Sequence, residues 1–162
     1  MGWQGLTAPQ EHGGMAQNAL VAAAISEIFS GANLSMQMVC NLVPGAISTL
    51  RRFGRDAQQA EWIHKLAAGE ALSTMCLTEP GAGSDLSRIR TKATRQGDGW
   101  VISGEKLFIS GGDQNLSDDI LHLVLARTGA KEDGVKGLSL FLTNKRQAGS
   151  AITIRRSEER RG

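Results

Sequence analysis

Thr78, Glu79, Gly81, Gly83, Ser84 and Asp85 crowd into the run LTEPGAGSD, and their types limit the chemistry it could do. The two hydroxyls flank a glycine turn, and each can donate or accept a hydrogen bond. Pro80 biases Glu79 to extended backbone and stops a preceding strand from running straight on. Gly81 and Gly83 permit tight turning and close approach to a ligand, with N–H groups free for an anion or a ring carbonyl. Asp85 is placed to cap the short turn LSRI. On spacing alone the loop reads equally as a ligand cradle or as a glycine-rich loop that satisfies only itself. A second run, GEKLFISGGDQN, offers Phe108, Ile109, Ser110 and then two glycines. A ring, a hydroxyl and bare backbone could meet a flat heteroaromatic ligand by stacking, hydrogen bonding and close approach. Taken alone, Phe108 is more often a core ring.

Other chemistries find less support. Gly81-Ala82-Gly83 lacks the third glycine of a dinucleotide fingerprint, and the helix and partner strand that should follow are missing. Ser103-Gly104-Glu105-Lys106 spells S-x-x-K, but in a strand and turn without the companion motifs of serine acyl-enzymes. His12, His64 and His122 have no metal-ligand spacing. Trp3, Trp62 and Trp100 are too scattered for a base-stacking platform. The net charge of +2 comes from 18 basic and 16 acidic residues, which argues against nucleic acid as a partner. The local clusters Arg51, Arg52, Arg55 and Arg155, Arg156, Arg160, Arg161 read as solvated faces. Cys40 and Cys76 lie in apolar runs without a pairing pattern, as buried free thiols in a reducing compartment do. With no signal peptide and no membrane span in the pattern, the expectation is a soluble, cytoplasmic chain.

The elements that must position these residues change character near Gly69. The chain has 162 residues, 41% of them hydrophobic, enough for one domain or two small ones. Before Gly69, Leu20, Ala23, Ala24, Ile28, Leu34, Met38 and Leu42 recur at helical spacing among small residues, predicting close-packing helices. Pro44 suits the first turn of a helix over 45–53, and Asp56 the N-cap of a helix over 57–68 that buries Trp62, Ile63 and Leu66. After Gly69, strands are expected at 71–77, 90–94, 100–109, 120–126, 137–142 and 152–155. QGDG predicts a hairpin within 90–110, and GAKEDGVKG a second polar connection. Helices first and antiparallel strands afterwards make an α+β fold: part of a helical N-terminal domain over 1–69, then part of an antiparallel, barrel-like middle domain over 70–162.

LTEPGAGSD, followed by TKA, GWVISGEKLFIS and HLVLAR, resembles the flavin-proximal stretch of the acyl-CoA dehydrogenase family. The run GDQNLSDDILHLVLARTGAKEDGVKGLSLFLTNK is most similar to its 3-methylmercaptopropionyl-CoA dehydrogenase-like branch, and AISTLRRFGRDAQQAEWIHKLAAGE resembles the helical run before the motif. The resemblance implies FAD as cofactor and α,β-dehydrogenation of an acyl-CoA thioester as the reaction. It implies that Met75, Leu77 and Thr78 line the isoalloxazine, with Thr78 bonding its pyrimidine edge. Met75 stands where many relatives carry an aromatic residue. Gly83 and Ser84 would approach the flavin phosphates and the acyl-CoA, Ser84 touching substrate. Phe108, Ile109 and Ser110 match the strand that covers the flavin, Ser110 near its reactive nitrogen.

Electrons would pass to an electron-transfer flavoprotein or similar acceptor, and relatives are homo-oligomers. The family's base is a carboxylate on a C-terminal helical domain, and no residue here matches it. The expectation is therefore a fragment, truncated at both ends, with exposed apolar stripes and an unpaired sheet edge. The alternatives are a non-catalytic FAD or acyl-CoA binding module and an inert fragment.

Overall fold

A computed structural model of the chain describes residues 3–148. Two short 3-10 turns, Trp3–Gly5 and Gln10–His12, lead into α1 (Ala19–Ala32), α2 (Leu34–Cys40), α3 (Leu42–Phe53) and α4 (Asp56–Ala68). Asn33 separates the first two helices: its N–H closes α1 on Phe29 O, and its Oδ1 accepts the Met36 N–H at 3.0 Å to open α2. Pro44 lies in the first turn of α3, where its missing N–H costs nothing, although the helix starts earlier than the proline suggests. Asp56 proves to be the first helical residue rather than the cap. Arg55 holds the cap position in extended backbone, and its N–H donates to Gln58 Oε1 at 3.0 Å. Gly69, at φ +82, ends α4 in the left-handed conformation that lets the chain turn into the sheet.

The sheet has five strands: β1 (Ala71–Cys76), β2 (Lys92–Gln96), β3 (Gly99–Ser103), β4 (Asp119–Arg127) and β5 (Leu138–Asn144). Its centre is β4. It pairs with β1 in parallel, from Ala71↔Asp119 to Cys76↔Val124, and with β5 antiparallel. β2 joins the end of β4 in parallel through Lys92↔Arg127, and pairs antiparallel with β3. The hairpin expected at QGDG is present, its first glycine at φ +58. The α+β class stands, with a mixed sheet in place of the expected wholly antiparallel one. The long β1-to-β4 connection is what allows a parallel return. The strand expected over 100–109 stops at Ser103, because Gly104 turns against Thr91 at φ +156 and Lys106 then points inward. A strand at 152–155 and the terminal arginine cluster lie outside the described residues.

One core joins the two parts. Val43, Ala46, Ile47 and Leu50 of α3 and Trp62, Ile63, Leu66 and Ala67 of α4 recur at helical spacing and form one buried cluster with Ala71, Leu72, Leu121 and Leu123. Farther along the paired strands, the Thr74 Oγ1 and His122 Nδ1 atoms are 2.7 Å apart, both residues buried. Burial lowers the His122 pKa and Lys145 adds to that, while Asp119 and Asp113 pull it upward. Cys40 and Cys76 are buried free thiols whose pKa values burial raises. α1 behaves otherwise than its spacing predicts. None of its residues is buried; Leu20 is 80% and Ile28 70% exposed, and Leu34 and Met38 continue the exposed stripe on α2. Among the described residues no helix is long and apolar enough to cross a membrane, and no cluster of metal-ligating side chains occurs.

Candidate functional site

The parallel pairing brings the carboxyl ends of β1 and β4 to one edge of the sheet, and the loops that follow them begin there. Beyond Cys76, Leu77 and Thr78 keep extended contact with the 104–110 segment: Lys106 Nζ donates to Leu77 O at 3.0 Å and Leu107 N–H to Thr78 O at 2.8 Å. The chain then closes a tight turn, Glu79 and Ala82 exchanging N–H···O bonds at 2.9 and 3.1 Å.

Glu79 is the pin of this turn. Its Oε2 accepts the Arg90 N–H at 2.7 Å, and its Oε1 accepts the Thr91 N–H at 3.0 Å and Lys106 Nζ at 2.9 Å. Both side chains are nearly buried, at 5% and 10% exposure. Burial by itself would raise the carboxyl pKa. The Arg90 and Thr91 amides and Lys106, all bonded to the carboxylate, outweigh it and hold the group at about 2. The sequence singles out Glu79 only as a corner before proline. Its partner Lys106 is 27 residues away, and nothing local announces the pairing.

Past the pin the loop is open. Gly81 and Gly83 have nothing within 4 Å of where a Cβ would stand, and neither has a positive φ. Gly81 sits in the tight Glu79–Ala82 turn without needing a positive φ, and Gly83 after it is bare, uncovered backbone. Ser84 is exposed. Asp85 caps the 3-10 turn Leu86–Arg88 as its position predicts, Oδ1 accepting from Ser87 N and Oγ at 3.1 and 2.6 Å.

Across from the turn, Phe108 has φ +58 and is 90% exposed, one residue beyond the Leu107–Thr78 hydrogen bond. A non-glycine residue in that region is uncommon, and such strain concentrates at ligand sites. Ile109 and Ser110 are half-buried, Ser110 Oγ lying 3.9 Å from Met38 Sδ, and Gly111 rests against Val39 of α2. Met75 packs on the helical core, while Leu77 and Thr78 are half-buried. Thr78 is thus tied to the residue before Phe108, Gly81 and Gly83 lie uncovered in the loop after it, Met75 packs on the core and Ser110 lies near Met38 of α2. Two cavities lie apart from it. One, of about 370 Å³, is bordered by Lys92, Arg95, Trp100 and Arg127; the other, of about 250 Å³, lies between the N-terminal turns, α1 and α2.

Residues 1–70 match the model of the acyl-CoA dehydrogenase N-terminal domain, and residues 74–162 that of the acyl-CoA dehydrogenase middle domain. The chain belongs to the acyl-CoA dehydrogenase family. It is 51% identical over 92% of its length to 3-methylmercaptopropionyl-CoA dehydrogenase of Ruegeria pomeroyi, of which it spans 26%. Among solved structures it superposes on an acyl-CoA dehydrogenase from Geobacillus kaustophilus with TM-score 0.78 and 27% identity, over 88% of this chain and 37% of that one. A glutaryl-CoA dehydrogenase of Mycobacterium smegmatis in complex with FADH2 matches with TM-score 0.70 and 28% identity, over 83% and 32%. The chain thus spans between 26% and 37% of the length of these acyl-CoA dehydrogenases.

Proposed function

We propose that this chain forms the flavin-facing and part of the acyl-CoA-facing surface of an FAD-dependent acyl-CoA dehydrogenase. The observation that carries the reading is the exposed, left-handed Phe108, next in the chain to the Leu107 amide that Thr78 O holds, with the uncovered glycine backbone following Thr78. An exposed ring, a hydroxyl and open N–H groups suit a flat, polar-edged heterocycle carrying phosphates. In this reading Met75, Leu77, Thr78, Phe108, Ile109 and Ser110 border the flavin ring, Gly83 approaches its phosphates, and Ser84 meets the acyl-CoA. The helical part over 1–69 supports a middle domain over 70–162.

FAD held there would supply the acceptor for the β-hydride of the thioester. The chain's own task is to orient the ring edge through Thr78, cover one face with Phe108 and leave the glycine turn free for a close approach. Glu79 is not the base for the α-proton. Three donors hold its carboxylate, and a group at about 2 is far too weakly basic. The base is proposed to come from the family's C-terminal helical domain, with no residue of this chain assigned to it, and an electron-transfer flavoprotein or similar acceptor to take the electrons.

An FAD titration of the purified chain, followed by flavin fluorescence, tests the reading. Saturable binding is expected, weakened about tenfold in Thr78→Val through loss of one hydrogen bond to the ring edge. No saturable binding, or equal affinity in the variant, contradicts it.

A further inference from the structure

Arg127 ends β4 with its guanidinium inside the protein. The residue is 6% exposed, and its side-chain partners among the described residues are main-chain carbonyls. Nε donates to Ile89 O at 3.1 Å, Nη2 to Ser87 O at 2.7 Å, and Nη1 to Ala130 O and Gly134 O at 3.0 Å each. A buried cation persists only when its donors are satisfied, and here carbonyl dipoles take four of the five. Those carbonyls belong to two loops, the one after β1 and the one after β4. The planar five-donor fork of arginine reaches both at once, which a lysine ammonium cannot do.

The loop after β1 is therefore anchored twice. Glu79 and Lys106 hold its near end, Arg127 holds it at Ser87 and Ile89, Glu79 also takes the Arg90 and Thr91 amides just beyond, and the open stretch from Gly81 to Ser84 lies between. Asp85 links Ser84 to the far anchor through its bonds to Ser87. We propose that Arg127 is a positioning residue for the acyl-CoA side of the site. It sets Ser84 and the adjoining backbone, while Glu79 and Lys106 set the flavin side. This rests on the reading of the preceding subsection.

Amide hydrogen exchange on the ligand-free chain, compared among wild type, Arg127→Lys and Arg127→Met, decides the anchoring. Exchange about tenfold faster at Arg88 and Ile89 is expected in both variants, with the Glu79 and Ala82 amides and the β1–β4 ladder unchanged. Uniform acceleration through the sheet would make Arg127 a general support of the fold and overturn the proposal. So would no change at all. Arg127→Lys keeps the charge and much of the volume, so it tests the fork even if Arg127→Met fails to fold.

Affinities for FAD and for the unreactive thioether S-propyl-CoA decide which side is served. The variants are expected to keep FAD affinity within about twofold and to lose about tenfold for the thioether. Equal losses for both ligands overturn the assignment. A wild-type chain that binds neither refutes the acyl-CoA reading and the ligand side of this proposal with it, whereas the exchange pattern still decides whether Arg127 sets the loop.

Discussion

Glu79→Ala is expected to destabilise the chain by about 3–5 kcal/mol, the cost of leaving one partner of a buried ion pair uncompensated. Lys106 Nζ would keep only the Leu77 carbonyl of its two acceptors, and the Arg90 and Thr91 amides would lose theirs. Against a total stability of about 5–15 kcal/mol, that loss brings a domain close to unfolding. Glu79→Gln keeps an acceptor oxygen but not the charge, and a smaller loss follows. Urea denaturation of the three proteins checks the order.

The same carboxylate gives the fold an acid limit. Its folded pKa of about 2 lies below the ordinary 4.5, so the unfolded chain binds the proton first as pH falls. The stabilisation, at most about 3.5 kcal/mol by the linkage relation, is fully present above pH 4.5 and is lost as pH falls toward 2. His122 acts in the same direction at higher pH. Its pKa is lowered from 6.5 by burial, so the unfolded chain again takes the proton first as pH drops through that value. Denaturation midpoints should therefore begin to fall below pH 6.5 and fall further below pH 4.5. The second fall should shrink in Glu79→Gln, the remainder coming from Asp85, whose bonds to Ser87 also lower its pKa.

Leu121→Ala is expected to cost about 2–5 kcal/mol, the sum of lost transfer energy and an incompletely collapsed cavity. Leu121 is 1% exposed on the central strand, inside the cluster that joins α3 and α4 to the sheet. The denaturant midpoint should fall without a change in slope. Leu20→Ala is the informative contrast. Leu20 is 80% exposed on α1, so its truncation should stay within about 0.5 kcal/mol. A large loss at Leu20 would mean that another surface covers α1 in solution.

What the sequence makes legible is what short-range physics decides. The stripe of Trp62, Ile63 and Leu66, the QGDG hairpin and the Asp85 cap all depend on neighbours a few residues away, and all are present. Elements set by distant partners escape it. The Thr74–His122 contact spans 48 residues and the Glu79–Lys106 pair 27, and neither leaves a periodic trace. GEKLFIS carries enough β-forming residues to look like strand, yet Gly104 turns it and Lys106 is drawn under the Glu79 turn. The apolar spacing of α1 predicts a helix correctly, but not that its stripe stays open. The candidate site divides in the same way. Thr78, Gly83, Ser84 and Phe108 are visible as residue types, whereas Glu79, Lys106 and Arg127, which hold them in place, become functional candidates only through contacts far along the chain.

The turn after β1 and the 106–110 segment are proposed to form one flavin-facing surface. Amide hydrogen exchange with and without saturating FAD tests it most directly. Slowed exchange confined to residues 77–84 and 106–110 is the predicted result. Protection centred instead on Lys92, Arg95 and Trp100, or no protection anywhere, would contradict the account.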